Sequence, residues 1–286
     1  MRRTGLLARP GGVAGAAILA AMALAALAAP FLASAMGHDP FAPDLLGRYG
    51  PADAAHPLGT DELGRDVLLR LLYGARVSLT VGIAAALAAA AIGTLLGLLA
   101  AWTGGALDAV LMRLADGMLA LPALPLLVVL AAVDPARIGL PADGGAADML
   151  RIVTIVALFG WVGVARFARA AALSVLRRDF VRAAVALGVP GDVILRRHVA
   201  TSVAGPVAVA TTLAVGHTIL VESTLSFLGL GIQPPTPSWG GMLANAQEMV
   251  FAAPLLALWP GLCILLTVVA CNLVGDALQD WLDPRA

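Results

Sequence analysis

Four places in the 286-residue sequence hold side chains whose types and spacing are those of chemistry. Asp61, Glu62, Arg65 and Asp66 gather three carboxylates and a guanidinium, a set that acid–base catalysis or a cation would use. The same residues stand at a helix start, with Thr60 or Asp61 as cap and Leu63, Val67, Leu68 and Leu71 behind it. Local Asp–Arg pairing then accounts for them without chemistry. His217, Glu222 and Ser223 close an apolar run, where a carboxylate is costly unless it is paired or meets water. Two readings stand for Glu222: it faces a polar path across the molecule, or it caps the Gly-rich turn that follows. For His217 a hydrogen bond inside a helix bundle is the simpler reading and the polar path the other. Gly229, Gly231, Pro234, Pro235, Pro237, Gly240 and Gly241 form a cluster without phosphate-loop spacing. The sequence has no dinucleotide fingerprint and no lysine at all, so nucleotide hydrolysis is not expected of this chain. That segment is expected to build a rigid external rim, with Trp239 and Gly240 at its edge. Cys263 and Cys271 lie in one apolar run and are read as packing residues, not as a disulfide or zinc pair. No catalytic residue and no metal-ligating set is expected.

The elements that must position these residues belong to a membrane. Hydrophobic residues make up 60% of the chain and charged residues only 13%, about half the share of a soluble domain. The formal net charge is zero, and all eighteen basic residues are arginine, so nothing suggests a nucleic-acid partner. A bilayer core takes roughly 20 apolar residues per helix. Six such runs are expected, near Gly12–Leu32, Ser78–Ala101, Met118–Val133, Ile152–Phe167, Ala204–Val221 and Pro254–Val274. Pro122 and Pro125 interrupt the third. The first follows Arg2, Arg3 and Arg9 but is too long for a secretory signal core, so an uncleaved helix is expected.

Orientation comes from the arginines. With the N-terminus inside, Arg2, Arg3, Arg9, Arg113, Arg166, Arg169, Arg177, Arg178, Arg182, Arg196, Arg197 and Arg285 all fall on the cytoplasmic side, twelve of eighteen. The expected fold class is therefore an all-α integral membrane protein with six transmembrane helices, both ends inside. Residues 1–77 would hold the first helix and an external segment. Residues 78–286 would hold the other five helices and a cytoplasmic loop at about 168–203.

That loop reads DFVRAAVALGVPGDVILRRH from Asp179 to His198. Asp179 is a plausible N-cap, Phe180, Ala183, Ala184 and Leu187 recur at helical spacing, and Gly188 with Pro190 ends the helix. So short a helix needs a partner surface. The bland alternative is a helix lying at the lipid headgroups.

Arg182-Ala183-Ala184, with Leu187 and Gly188 following, resembles the "EAA" loop of permeases of ATP-binding-cassette importers. Arg182 stands where the name-giving glutamate usually is. His56 to Asp66, running on to Tyr73-Gly-Ala-Arg-Val-Ser78, resembles the segment before the second span in dipeptide, oligopeptide and nickel permeases of the C type. Glu222 to Gly231, Ser238 to Gly241 and the tail Gly275 to Arg285 are similar to later blocks of the same family. The resemblance implies the type I importer permease fold in a bacterial inner membrane. It implies a coupling helix that seats in a separate ATPase through Arg182, Ala183, Ala184, Leu187 and Gly188. It also implies a homologous permease partner forming a heterodimer, two ATPase subunits or domains that carry the ATP and Mg2+, and an external solute-binding protein. His217, Glu222 and Ser223 would then lie on the translocation path, with no cofactor on this chain. A membrane hydrolase would instead need facing catalytic residues within the spans, and an ion-driven carrier would show inverted repeats and buried carboxylates. Neither pattern is evident.

Overall fold

The computed structural model describes residues 10–133, 144–244 and 253–282. Arg2, Arg3, Arg9 and Arg285 of the orientation argument, and the end of the tail block, lie outside them. Among the described residues eight helices follow in order, apart from two short 3-10 turns: α1 (Pro10–Met36), α2 (Val67–Thr103), α3 (Gly105–Ala120), α4 (Ala123–Ala131), α5 (Gly145–Leu176), α6 (Asp179–Ala186), α7 (Gly191–Phe227) and α8 (Pro254–Leu282). Residues Leu195–Ala200 of α7 are π-helical.

Five of these, α1, α2, α5, α7 and α8, are long and apolar enough to cross a bilayer by themselves. The third crossing is broken. At Leu121 and Pro122 the chain bends by 88° between α3 and α4, because proline removes a helical hydrogen bond. Ala115 and Met118 of α3 pack at the level of Leu96 and Trp161, whereas Leu127 and Ala131 of α4 pack with Val77, Val81 and Ile152. Counted as one broken span, the pair brings the candidate crossings among the described residues to six. The outer surface carries leucines, among them Leu24, Leu27, Leu95 and Leu265, as lipid requires.

The helices outrun the apolar windows that forecast them. α2 begins at Val67, not Ser78, because Asp66 rather than Thr60 or Asp61 caps it: Asp66 Oδ1 accepts the Leu69 N–H at 2.8 Å. α7 begins at Gly191 and α5 runs on to Leu176, both beyond the hydrophobic stretch. Hydropathy measures the lipid-facing length, while hydrogen bonding continues the helix into water.

α2 and α5 form the spine. Gly93 and Gly97, four apart on α2, meet the α5 backbone at Trp161 and Ala165. A Cβ at Gly93 would lie 2.5 Å from the Trp161 carbonyl oxygen. This is the small-residue packing by which membrane helices gain close contact when lipid offers no hydrophobic drive.

The alternation of crossings is checked by what the ends touch. On one side Arg151 of α5 donates to the carbonyls of Leu230 and Gly231, and Trp239 Nε1 donates to Leu71 O of α2. On the other, Arg169 of α5 chelates Asp108 of α3, and Gly191 of α7 abuts Trp102 of α2. Segments 37–66 and 228–244 thus share one face, and the α6 loop shares the opposite face with the far ends of α2 and α8.

Candidate functional site: a cytoplasmic helix and an external latch

α6 is a short helix held to the bundle by one side. Val181 and Ala184 are buried and pack with Ala101, Ala168, Ala172, Val175, Ile194 and Val199. Phe180, Val185 and Leu187 point away and are 45%, 60% and 83% exposed. Ala184, expected among the seating residues, faces the protein's own core, whereas Arg182, Ala183, Leu187 and Gly188 are exposed. Arg178, not Asp179, occupies the N-cap position; Asp179 is the first helical residue and makes no capping bond. Its carboxylate lies 4.0 Å from Arg182 in full solvent, a pair of little energetic consequence.

The end of α6 is fixed by backbone geometry. Gly188 adopts φ +76°, Val189 N donates to Ala184 O at 3.1 Å, and Gly188 N donates to Val185 O at 3.0 Å. These are the two bonds of a Schellman cap, whose left-handed residue is usually glycine. Pro190 then starts α7 at once, and Phe180 rests against the His198 ring at 5.9 Å. Arg177, Arg178, Arg182, Arg196 and Arg197 are all exposed around this unit. The result is a rigid, basic projection with three exposed apolar side chains at its tip.

The external latch centres on Glu222, which is fully enclosed. Its carboxyl oxygens accept hydrogen bonds from Ser78 of α2 at 3.0 Å and Ser226 at 2.8 Å, with Ser223 at 3.4 Å. Ser78 Oγ in turn accepts the Trp239 N–H at 3.2 Å, and Ser226 Oγ accepts the Ile232 N–H at 3.2 Å. The Trp239 ring is wholly buried, and Gly240 lies on the Ser223 backbone with no space for a Cβ. So Glu222 gathers α2, α7 and the Gly/Pro segment through serines rather than capping a turn through backbone N–H groups. Glu222 and Ser223 sit inside the bundle, Trp239 and Gly240 sit beneath the rim, and Gln233, Pro234 and Pro235 form its exposed edge. His217 is separate from them: it is exposed on α7, on the same outward face as Leu220 and Phe227.

Sequence reasoning passed over two residues of this latch. Asp148 accepts the Gln233 N–H at 3.1 Å and lies 3.5 Å from Arg151. A charged pair three residues apart at the mouth of an apolar run was the available signal.

Asp61, Arg65 and Arg70 form a third cluster. Asp61 Oδ2 contacts Arg65 Nε at 2.8 Å and Arg70 Nε at 3.1 Å, while Asp61 Oδ1 accepts the N–H groups of Leu63 and Arg65. These charges are buried, not the solvated pairs expected, and each is matched, as burial demands. The cluster folds segment 37–66 onto the start of α2.

Residues 93–286 match the family described as binding-protein-dependent transport system inner membrane component. The chain belongs to that family. It is 38% identical over 275 residues to a probable D,D-dipeptide transport system permease protein of Escherichia coli K12, covering 96% of this chain and 87% of the relative. A di/tripeptide transport system permease protein of Pseudomonas aeruginosa UCBPP-PA14 is 42% identical over 228 residues, 80% of this chain and 72% of its own. A nickel transport system permease protein of Escherichia coli K12 is 36% identical over 268 residues, 94% and 92% respectively. The permease is therefore a multi-pass protein of a bacterial inner membrane and the membrane component of an ATP-driven importer. Such a subunit is not an enzyme. ATP hydrolysis in these systems lies in a separate subunit, and a substrate-binding protein works with them.

Proposed function

We propose that this permease carries small peptides, pairing with a homologous permease subunit to enclose the path, and that α6 is the element through which two ATPase subunits drive it. The observation that carries the coupling reading is the exposed trio Phe180, Val185 and Leu187 on a helix whose other face is anchored by Val181 and Ala184. An apolar tip on a basic, water-facing loop is costly unless a partner covers it. The Schellman cap and the anchored face make α6 stiff, so force applied at its tip passes to α5 and α7 rather than being absorbed. Arg182 is exposed beside that tip, where it would meet an acidic or neutral position of the partner. ATP and Mg2+ then belong to that partner, and no cofactor is assigned to this chain.

His217 is the path residue this reading retains. An ionisable side chain on an outward helix face within a bilayer is favoured only against water or another protein, and a second permease subunit packed on α7 supplies both. The exposed edge Gln233, Pro234 and Pro235 offers a stiff platform for the external binding protein. Peptide cargo is supported by the names of two of the relatives described; nickel is the competing cargo.

Leu187→Glu tests the coupling reading, because Leu187 contributes almost nothing to the bundle. Ala184 is a poor probe, since its replacement disturbs the core. The expected result is a folded permease that no longer retains the ATPase on purification and no longer supports uptake. Unchanged retention and uptake would sink the idea. Uptake of labelled dipeptides, tripeptides and nickel with the cognate binding protein present tests the cargo: peptide accumulation is expected, and accumulation of nickel alone overturns it.

A further inference from the structure

The external segment brings together three residues that no motif joins. His38 follows the end of α1, His56 lies in the turn that Asp53 organises, and Asp66 caps α2. Their ligand atoms all lie within 4.8 Å of one another. His56 Nδ1 is 3.0 Å and His38 Nδ1 4.0 Å from the same oxygen, Asp66 Oδ2. The two imidazoles stack with centroids 4.5 Å apart.

Hydrogen bonding satisfies only part of this group. Asp66 Oδ1 is used by the Leu69 N–H and Oδ2 by His56. His38 Nδ1 is shielded from solvent and has no hydrogen-bond partner among the described residues. At 4.0 Å it is too far from Asp66 for a hydrogen bond. Bringing a second imidazole nitrogen to one carboxylate oxygen, without bonding it, has no structural benefit that the surrounding contacts reveal.

A metal ion accounts for the arrangement. With zinc–ligand distances of about 2.0–2.2 Å, tetrahedral ligand atoms sit roughly 3.3–3.5 Å apart. The separations of 3.0 and 4.0 Å from Asp66 Oδ2 bracket that value, and the two histidine ligand atoms lie no more than 4.8 Å apart, so side-chain shifts alone would bring all three to one ion. Two imidazoles and one carboxylate are a ligand set for zinc and its neighbours, not for calcium or magnesium, which take oxygen. The backbones are held in advance: His56 N donates to Asp53 Oδ1, His56 O accepts from Asp53 N and Gly59 N, and Asp66 is fixed by its capping bond. The Asp66 side chain is 1% exposed and each histidine 29%, so an ion would be cradled from below and reachable from the external solvent. No ligand set is legible in the sequence, where the near neighbours of Asp66 are Asp61 and Glu62. The histidines lie 28 and 10 residues upstream and meet it only after folding.

We propose that His38, His56 and Asp66 form a three-ligand site for a zinc-class divalent ion, with a fourth position left to water. The ion joins the outer end of α1, the external turn and the start of α2. It thereby clamps segment 37–66 onto the bundle, beside the face that carries the Gly/Pro rim.

The test uses the full-length permease assembled with its partner subunits in detergent, stripped with chelator and then titrated with Zn2+ or with Co2+. One additional equivalent bound per permease is expected for wild type relative to His38→Ala and His56→Ala, with affinity reduced by more than about tenfold in each variant. Co2+ is expected to give d–d absorption that both variants lose and that His198→Ala keeps. Asp66→Asn preserves a capping oxygen and removes the charged ligand, so it too is expected to lose the ion while remaining assembled. Equal metal content in wild type and the histidine variants overturns the proposal. Should the histidine variants fail to assemble, wild type alone decides: a melting temperature that rises and saturates at one equivalent of Zn2+ supports the site, and one that does not respond refutes it.

Discussion

Ser78 and Glu222 lie 144 positions apart in the chain and meet at 3.0 Å, hydroxyl to carboxyl, where the external ends of α2 and α7 converge. Ser78 also receives the Trp239 N–H, so one hydroxyl passes the contact from a helix–helix joint to the rim above it. In a fully enclosed site each of these bonds matters through the cost of breaking it, about 1–3 kcal/mol when a buried polar group is left unmatched. Glu222→Ala strips the acceptor from three serines at once. It is expected to lower thermal stability in detergent by about 2–3 kcal/mol and to make the 228–244 segment an early site of proteolysis. Glu222→Gln keeps an acceptor oxygen and should avoid much of that loss. Were Glu222 chiefly a transport residue, Glu222→Ala would abolish uptake with melting unchanged.

Gly93 makes a prediction of a different kind, because its cost is purely steric. Its missing Cβ lets α2 lie against the Trp161 carbonyl, which is backbone and cannot rotate away. Gly93→Val should force the two longest-shared helices apart and cost about 1–3 kcal/mol, as overpacking does. Gly163 on α5, with nothing near the position of its Cβ, serves as the matched control. Gly163→Ala is expected to be neutral or slightly stabilising by melting temperature.

The membrane architecture was legible because lipid imposes it. An apolar run of the right length has one interpretation, and the arginine bias orients it. The α3–α4 break was visible as Pro122, but not its angle, which depends on what the two pieces pack against. Helix starts were misjudged where a charged, capped turn extends beyond the apolar run, as at Asp66. Gly188 was legible as a stop because its role is local. Glu222 was ambiguous for the opposite reason: the serines that enclose it come partly from α2, and Trp239 reaches them through a loop. Nothing near Glu222 in sequence distinguishes an enclosed carboxyl from one facing a path. Ala184 and Leu187 share a helical stripe in sequence, yet one is buried and the other exposed, since only the fold decides which side of α6 meets the bundle.

The cap of α6 gives a graded prediction. Gly188 sits at φ +76° with nothing near the position of its Cβ, so substitution meets strain and no clash. Left-handed backbone costs an ordinary residue about 1–2 kcal/mol and asparagine less. Gly188→Asn, Gly188→Ala and Gly188→Val should therefore loosen the end of α6 progressively. ATPase activity stimulated by substrate and binding protein should fall in that order while melting of the bundle changes little. A flat response across the three would show that the stiffness of α6 is not what transmits ATPase closure.

Arg169 and Asp108 provide the last test, on the cytoplasmic side. Both guanidinium contacts, Nε to Oδ1 and Nη2 to Oδ2, are 2.5 Å, the paired geometry that makes arginine–carboxylate bonds strong. The arginine is 30% exposed and the carboxylate 18%, so solvent screening is partial and a coupling of about 1 kcal/mol is expected, above the median for surface pairs. The pair fastens α3 to α5 just where α3 begins, and α3 has little else there: Ala115 is its one buried residue. A double-mutant cycle of Asp108→Ala and Arg169→Ala, read by melting in detergent, should return that coupling and lose it as salt is raised. The single variants should also raise basal ATPase activity in the assembled importer. The broken third crossing would then move more freely against α5, the helix that leads directly into α6. Measured coupling near zero would mean that the contact is tolerated rather than used, and that the broken crossing is held by its apolar face and the exposed Arg166–Asp116 pair.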